Sequence, residues 1–172
     1  EYDDLTGAAF VAYKAGDFTQ AREWADTAQA LSNEAYGATY LLGLISWYAD
    51  QNLDAALGYL DELEGVDFSD FFLNPDFGHA LYMDRGYILM DAGDLEAAIS
   101  AFERALETMG NYAYIYEAIA EAQLELGNIE SARESLRQAM ESASDNPDEQ
   151  RRLLQRIRDL GDAATAEATE AN

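Results

Sequence analysis

Carboxylates dominate the reactive side chains of this sequence. Asp and Glu number 34 against ten Lys plus Arg, a formal charge of −24. His79 is the one imidazole, and there is no cysteine. Nucleophile–base pairs and zinc sites usually draw on several such groups, so most of both are removed. No glycine-rich phosphate loop is present. Carboxylate pairs occur at many spacings, and at this density they arise by chance. The chain is expected to be non-enzymatic, with no metal and no cofactor. His79 follows Gly78 at the start of a helical stretch and reads as structural.

The charge narrows the partners. A strongly acidic chain is repelled by nucleic acid and by anionic membrane surfaces. No apolar run reaches membrane-spanning length, so membrane insertion is not expected. The acidity suits a solubilising surface; a high-salt habitat or a cationic partner would also account for it. Without cysteine the chain says nothing about redox compartment. It starts without Met and shows no signal peptide, which fits a processed, extracytoplasmic protein or an excised fragment.

What recurs is not a catalytic group but a spacing of small and large apolar residues. Gly93 and Gly127 lie 34 residues apart, as do Ala98 and Ala132, Phe102 and Leu136, and Ala105 and Ala139. In the first of these copies, Leu81, Tyr82, Ile88 and Leu89 have helical spacing over 80–92. Gly93-Asp94 stops that helix and caps the next, which carries Leu95, Ala98, Ile99, Phe102, Ala105 and Leu106 over 95–108. Gly86, Ala98 and Ala105 are small where two backbones cross. Tyr82 and Phe102 are large where a gap needs filling. One such pair cannot bury its apolar face alone, so neighbours must stack on it.

The pattern resembles the tetratricopeptide repeat family. The match is carried by Tyr82, Gly86, Gly93-Asp94, Ala98, Phe102 and Ala105, and again by Tyr116, Ala120, Gly127-Asn128, Ala132, Leu136 and Ala139. The family's closing Pro is absent at Gly110 and Ser144. Residues 2–34 form another copy, with the turn Ala15-Gly16-Asp17-Phe18, small residues Ala9, Ala21 and Ala28, and Ala25 where a large one is usual. Residues 35–65 form a degenerate copy in which Gln51-Asn52 replaces Gly-Asp. There Leu44 and Leu63 are bulky where the family has small residues. Either this pair is splayed or the register lies one residue earlier, at Gly43. The repeats thus fall at about 2–34, 35–65, 79–112 and 113–146.

Residues 66–78 interrupt the period. They hold Phe68, Phe71, Phe72, Leu73 and Phe77 among acidic residues, read either as a plug for the imperfect second copy or as an aromatic contact patch. The acidic spacing does not suit a calcium loop. Residues 147–160 form a last helix. Asn146 caps it, Pro147 starts it and Gly161 is expected to end it. Leu153, Ile157 and Leu160 share a face that would seal the final repeat. Residues 162–172 are of low complexity and alone would be disordered or weakly helical.

The resemblance implies an all-α fold: a right-handed solenoid of antiparallel helix pairs with a C-terminal capping helix, one domain over 1–161. It also implies a protein or peptide segment as partner, bound on the face lined by the first helix of each pair. Carried across, that face presents Thr6, Phe10, Tyr13 and Lys14, then Leu41, Ile45 and Tyr48, then Met83, Tyr87, Met90 and Asp91, then Tyr114, Glu117, Glu121, Leu124 and Glu125. Only Lys14 is basic there, which disfavours a clamp on a C-terminal carboxylate. A ligand with apolar anchors fits better. This reading expects a monomer. The alternative is a structural subunit stacking head to tail into a filament. Residues 1–132 carry 25 acidic and 4 basic residues, and 133–172 carry 9 and 6, so front and rear complement each other. The expected contacts of that homo-oligomer are Phe71, Phe72, Arg151, Arg152, Arg156 and Arg158.

Overall fold

The computed structural model describes residues 1–66 and 77–170; for 77–79, 109 and 162–170 it describes the backbone alone. Among the described residues there are helices and no strand. The chain divides into two compact units, Glu1–Phe72 and Leu73–Asn172. The first contains α1 (Tyr2–Lys14), α2 (Phe18–Leu31), α3 (Tyr36–Tyr48) and α4 (Leu53–Asp61). The second contains α5 (Phe77–Asp91), α6 (Leu95–Met109), α7 (Ala113–Glu125), α8 (Ile129–Ser142) and α9 (Pro147–Glu170).

Short turns fold each pair back on itself, and three of them are built alike. The amide of Asp17 donates to Ala12 O, that of Asp94 to Leu89 O and that of Asn128 to Gln123 O, each five residues back. The residue before each of these donors is a glycine at positive φ: Gly16 at 80°, Gly93 at 79°, Gly127 at 77°. Only glycine holds that conformation without cost. Asp17 and Asp94 then accept from the amides of Gln20 and Ala97, which satisfies one orphan donor at each helix start.

The turn between α3 and α4 is one residue longer. Asn52 donates to Ser46 O, six residues back, and Gln51 takes the left-handed position at φ 52°. The extra residue shifts α3 by one position relative to its turn. Gly43, not Leu44, therefore meets α4: a Cβ on Gly43 would lie 3.1 Å from Leu60 Cδ2 and 3.3 Å from Tyr59 Cβ. Of the two sequence readings of this copy, the shifted register is the one the fold adopts. Leu44 is accommodated by the longer turn.

Alanine seams let the helices approach. In the first unit Ala9, Ala12, Ala21, Ala25 and Ala28 form one core with Ala38, Leu41, Leu42 and Ile45. In the second unit the crossing of α5 and α6 is tighter still. A Cβ on Gly86 would stand 2.3 Å from the Phe102 ring, which is fully buried. Burial of a side chain of that size contributes about 1.5–3 kcal/mol. Glycine is required here by space, not by backbone angle.

The last helix seals the second unit as its apolar face suggested. Leu153 and Ile157 join a core with Ala120, Ala132, Leu136 and Ala139, with Leu160 packed at the edge. Asn146 accepts from the amide of Glu149 and donates back to its carboxylate, a reciprocal cap. The helix does not stop at Gly161; it runs on to Glu170. A single interior glycine costs only about 1 kcal/mol, and the residues after it are mostly strong helix formers.

Candidate protein-binding face

Each first helix presents one row of side chains at fixed offsets from its small crossing residue: three before, one after and four after. In α1 the reference is Ala9 and the row is Thr6, Phe10 and Tyr13. Thr6 is buried, and its hydroxyl donates to Tyr2 O at 2.9 Å. Tyr13 packs edge-on to Phe18 with centroids 5.5 Å apart. Lys14 lies next to the row and is exposed.

With Gly43 as reference, the row on α3 is Tyr40, Leu44 and Trp47. The geometry agrees: the Phe10 and Tyr40 rings lie 6.4 Å apart, one residue after the crossing in α1 meeting three before it in α3. Leu41 and Ile45, expected on this face, are 0% and 1% exposed and belong to the core of the first unit. The added turn residue rotates them inward. Tyr48 is 55% exposed and stacks on Trp47 at 4.2 Å. The residues missed here are Tyr40, Leu44 and Trp47, and Gly43 was the signal that could have found them.

In the second unit the row on α5 is Met83, Tyr87 and Met90. Met83 is buried, while Tyr87 and Met90 are half-buried. Tyr87 packs edge-on against Phe102 at 5.2 Å. Burial pushes its phenol above the ordinary tyrosine value, and Glu121, Asp84 and Glu117 push the same way. The row on α7 is Glu117, Glu121 and Leu124. Tyr114 is exposed beside Tyr112, with ring centroids 5.7 Å apart. Asp91 and Glu125 are exposed at the ends of their helices.

The acidic part of this face is already engaged. Arg152 donates both terminal nitrogens to Glu117, at 2.7 and 2.6 Å, and one of them also to Glu149 at 3.1 Å. Arg156 reaches Glu117 and Glu121, each at 3.3 Å. The side chain of Glu117 is only 14% exposed, so this bidentate pair is sheltered more than an ordinary surface pair. The hydrogen bonds to Glu117 hold the Arg152 guanidinium above its ordinary value. Glu117 to Arg152 and Glu121 to Arg156 are both 35 residues, one more than the repeat. By register α9 is thus the first helix of a fifth pair, with arginines in the row positions.

Four residues expected at an assembly contact therefore divide. Arg152 and Arg156 are bound within the chain, Arg151 pairs with Asp148 on its own helix, and Arg158 is exposed. Phe71 and Phe72, with the rest of the aromatic insertion over 67–76, lie outside the described residues. The side chains of Phe77 and His79 are likewise not described.

Two family models described as tetratricopeptide repeat match the chain, over residues 7–69 and 89–157. No curated protein matches. Among solved structures, a crystal structure of MamA is 20% identical with a TM-score of 0.70, covering 84% of this chain and 80% of its own. MamA of AMB-1 is 21% identical with a TM-score of 0.65, covering 87% and 76%. A structure of the APC/C hetero-tetramer Cut9-Hcn1 is 18% identical with a TM-score of 0.71, covering 91% of this chain and 30% of that one. At these identities the likeness is one of fold: all-α, of the solenoid type built from helix pairs. No described helix is long and apolar enough to cross a membrane. With two matched segments and the turn, crossing and row positions in register, this chain belongs to the tetratricopeptide repeat family of protein–protein interaction scaffolds.

Proposed function

We propose that the protein binds a segment of a partner protein along the row faces of its first helices, and that the anchors are apolar rather than ionic. The observation that carries this reading is the division of the row. Its aromatic members Tyr13, Trp47 and Tyr87, with Tyr48 and Tyr114 beside it, keep exposed surface, whereas its carboxylates Glu117 and Glu121 are neutralised by the chain's own arginines. Aromatic side chains supply large contact area at small entropic cost, and Met90 beside Tyr87 adds an adaptable surface. A ligand recruited by charge alone would have to displace Arg152 and Arg156 first.

The head-to-tail filament is the weaker reading. Three of its four arginines are satisfied within the chain, so its cationic surface is largely consumed.

The test is selection of displayed peptides on the full chain, followed by titration of a synthetic copy of the selected peptide. Tyr13→Ala and Tyr48→Ala should each weaken binding about tenfold, the scale of an aromatic anchor. Peptides whose affinity ignores both substitutions and whose amide-shift footprint falls on α2 and α4 would overturn the reading.

A further inference from the structure

We propose that Arg152 and Arg156 are specificity-determining residues of the row in the second unit: by holding Glu117 and Glu121 they exclude basic segments from a face that would otherwise recruit them. This inference rests on the reading that the row takes a partner segment, and it names the class of segment refused. On α7, Glu117 and Glu121 lie one turn apart, and the helix has no basic residue. Two carboxylates on one helix face beside aromatic surface suit a lysine or arginine of a ligand. Their field reaches the neighbouring first helix, since Glu121 and Glu117 both push the Tyr87 phenol of α5 upward.

The two clamps are unequal. Arg152 holds Glu117 with both terminal nitrogens, at 2.7 and 2.6 Å, and that side chain is 14% exposed. Arg156 reaches Glu117 and Glu121 at 3.3 Å each, and the side chain of Glu121 is 47% exposed. Glu121 is therefore the carboxylate that a ligand meets first, and Arg156 is the group it must displace. Helix α9 has other anchors. Leu153 and Ile157 are buried in the core of the unit, and Asn146 and Glu149 cap the helix start. A basic segment would have to break charge-assisted contacts and face the arginine it released. An apolar, uncharged segment meets balanced charge and breaks nothing.

The experiment uses the full chain and a defined probe: a synthetic alanine-based peptide with two arginines four residues apart, the spacing of Arg152 and Arg156, and no large apolar side chain. Binding is followed by amide shifts at about 0.15 M salt. The unaltered chain should show no shifts on α7. Arg152→Gln combined with Arg156→Gln should bind the probe at least about tenfold more tightly, with shifts at Glu117 and Glu121. Arg156→Gln alone leaves Glu117 held and should confine the shifts to Glu121; it also keeps the test decisive if the double variant loses helix content by circular dichroism. Arg151→Gln combined with Arg158→Gln makes the same change in net charge elsewhere on α9 and should behave like the unaltered chain. Probe binding that is equal with and without Arg152 and Arg156, or a gain in the Arg151 and Arg158 control as large as in the double variant, would overturn the proposal. The probe carries no anchor for Tyr13 or Tyr48, so this outcome is read separately from that of the peptide selection.

Discussion

In α5–α6 the turn closes five residues back, Gly93 takes the left-handed position, and Gly86 meets a fully buried Phe102. In α3–α4 the turn closes six residues back, Gln51 takes the left-handed position, and Gly43 meets Leu60 and Tyr59. The second helix is 15 residues long in the former and 9 in the latter. The first helix of the latter compensates: Gly37 to Ser46 are all buried, an apolar girdle rather than a stripe. Turn length sets the rotational phase of a helix. One added residue turns every side chain of the preceding helix by about 100° relative to the turn, and the crossing glycine must move with it.

Four perturbations would break or sharpen that comparison, each read by urea unfolding of the full chain. Gly86→Ala should cost about 3 kcal/mol, because its Cβ collides with an immobile ring; Phe102→Leu in the same chain should recover much of it. Gly43→Ala should cost about 1 kcal/mol or less, because its Cβ would stand no closer than 3.1 Å to a neighbour, which a small shift relieves, and alanine favours the helix. Equal losses would mean that the two crossings are not different in kind. Deleting Asp50 should cost about 2–3 kcal/mol, since a turn of ordinary length would drive Leu44 into the crossing; a neutral deletion would show that turn length does not set the phase.

Smaller effects should come from the helix starts. Asn52→Ala and Asp94→Ala each lose a side-chain bond to an orphan amide and should cost about 1 kcal/mol. Asn128 makes no such bond, so Asn128→Ala should cost measurably less. The smallest change has the opposite sign. Gln51→Gly should stabilise by about 0.5–1 kcal/mol by relieving a non-glycine residue at positive φ, whereas Gly93→Ala should destabilise by a similar amount. A destabilised Gln51→Gly would mean that its side chain does something the backbone angle does not explain.

The repeat was legible because its constraints are local: glycine at a left-handed turn, an acidic cap after it, and small residues at the crossings. The seal of Leu153 and Ile157 was legible for the same reason, as a helical stripe with a cap in front of it. What escaped was phase. Aligning Gln51 with Gly93 places Leu41 and Ile45 on the row, and an added residue in a turn leaves no trace in composition. The pairing of Glu117 and Glu121 with Arg152 and Arg156 escaped because the last helix did not resemble a repeat. Its spacing of 35 from Glu117 and Glu121 departs from the repeat of 34 and so does not stand out in the sequence. The run of α9 beyond Gly161 shows the ordinary weakness of a lone glycine as a stop signal.

The position of α9 also bears on how such a chain lengthens. Arg152 and Arg156 reach back to Glu117 and Glu121 on α7. A helix pair inserted between α8 and α9 would therefore have to present two carboxylates at the matching positions for α9 to dock in the same way.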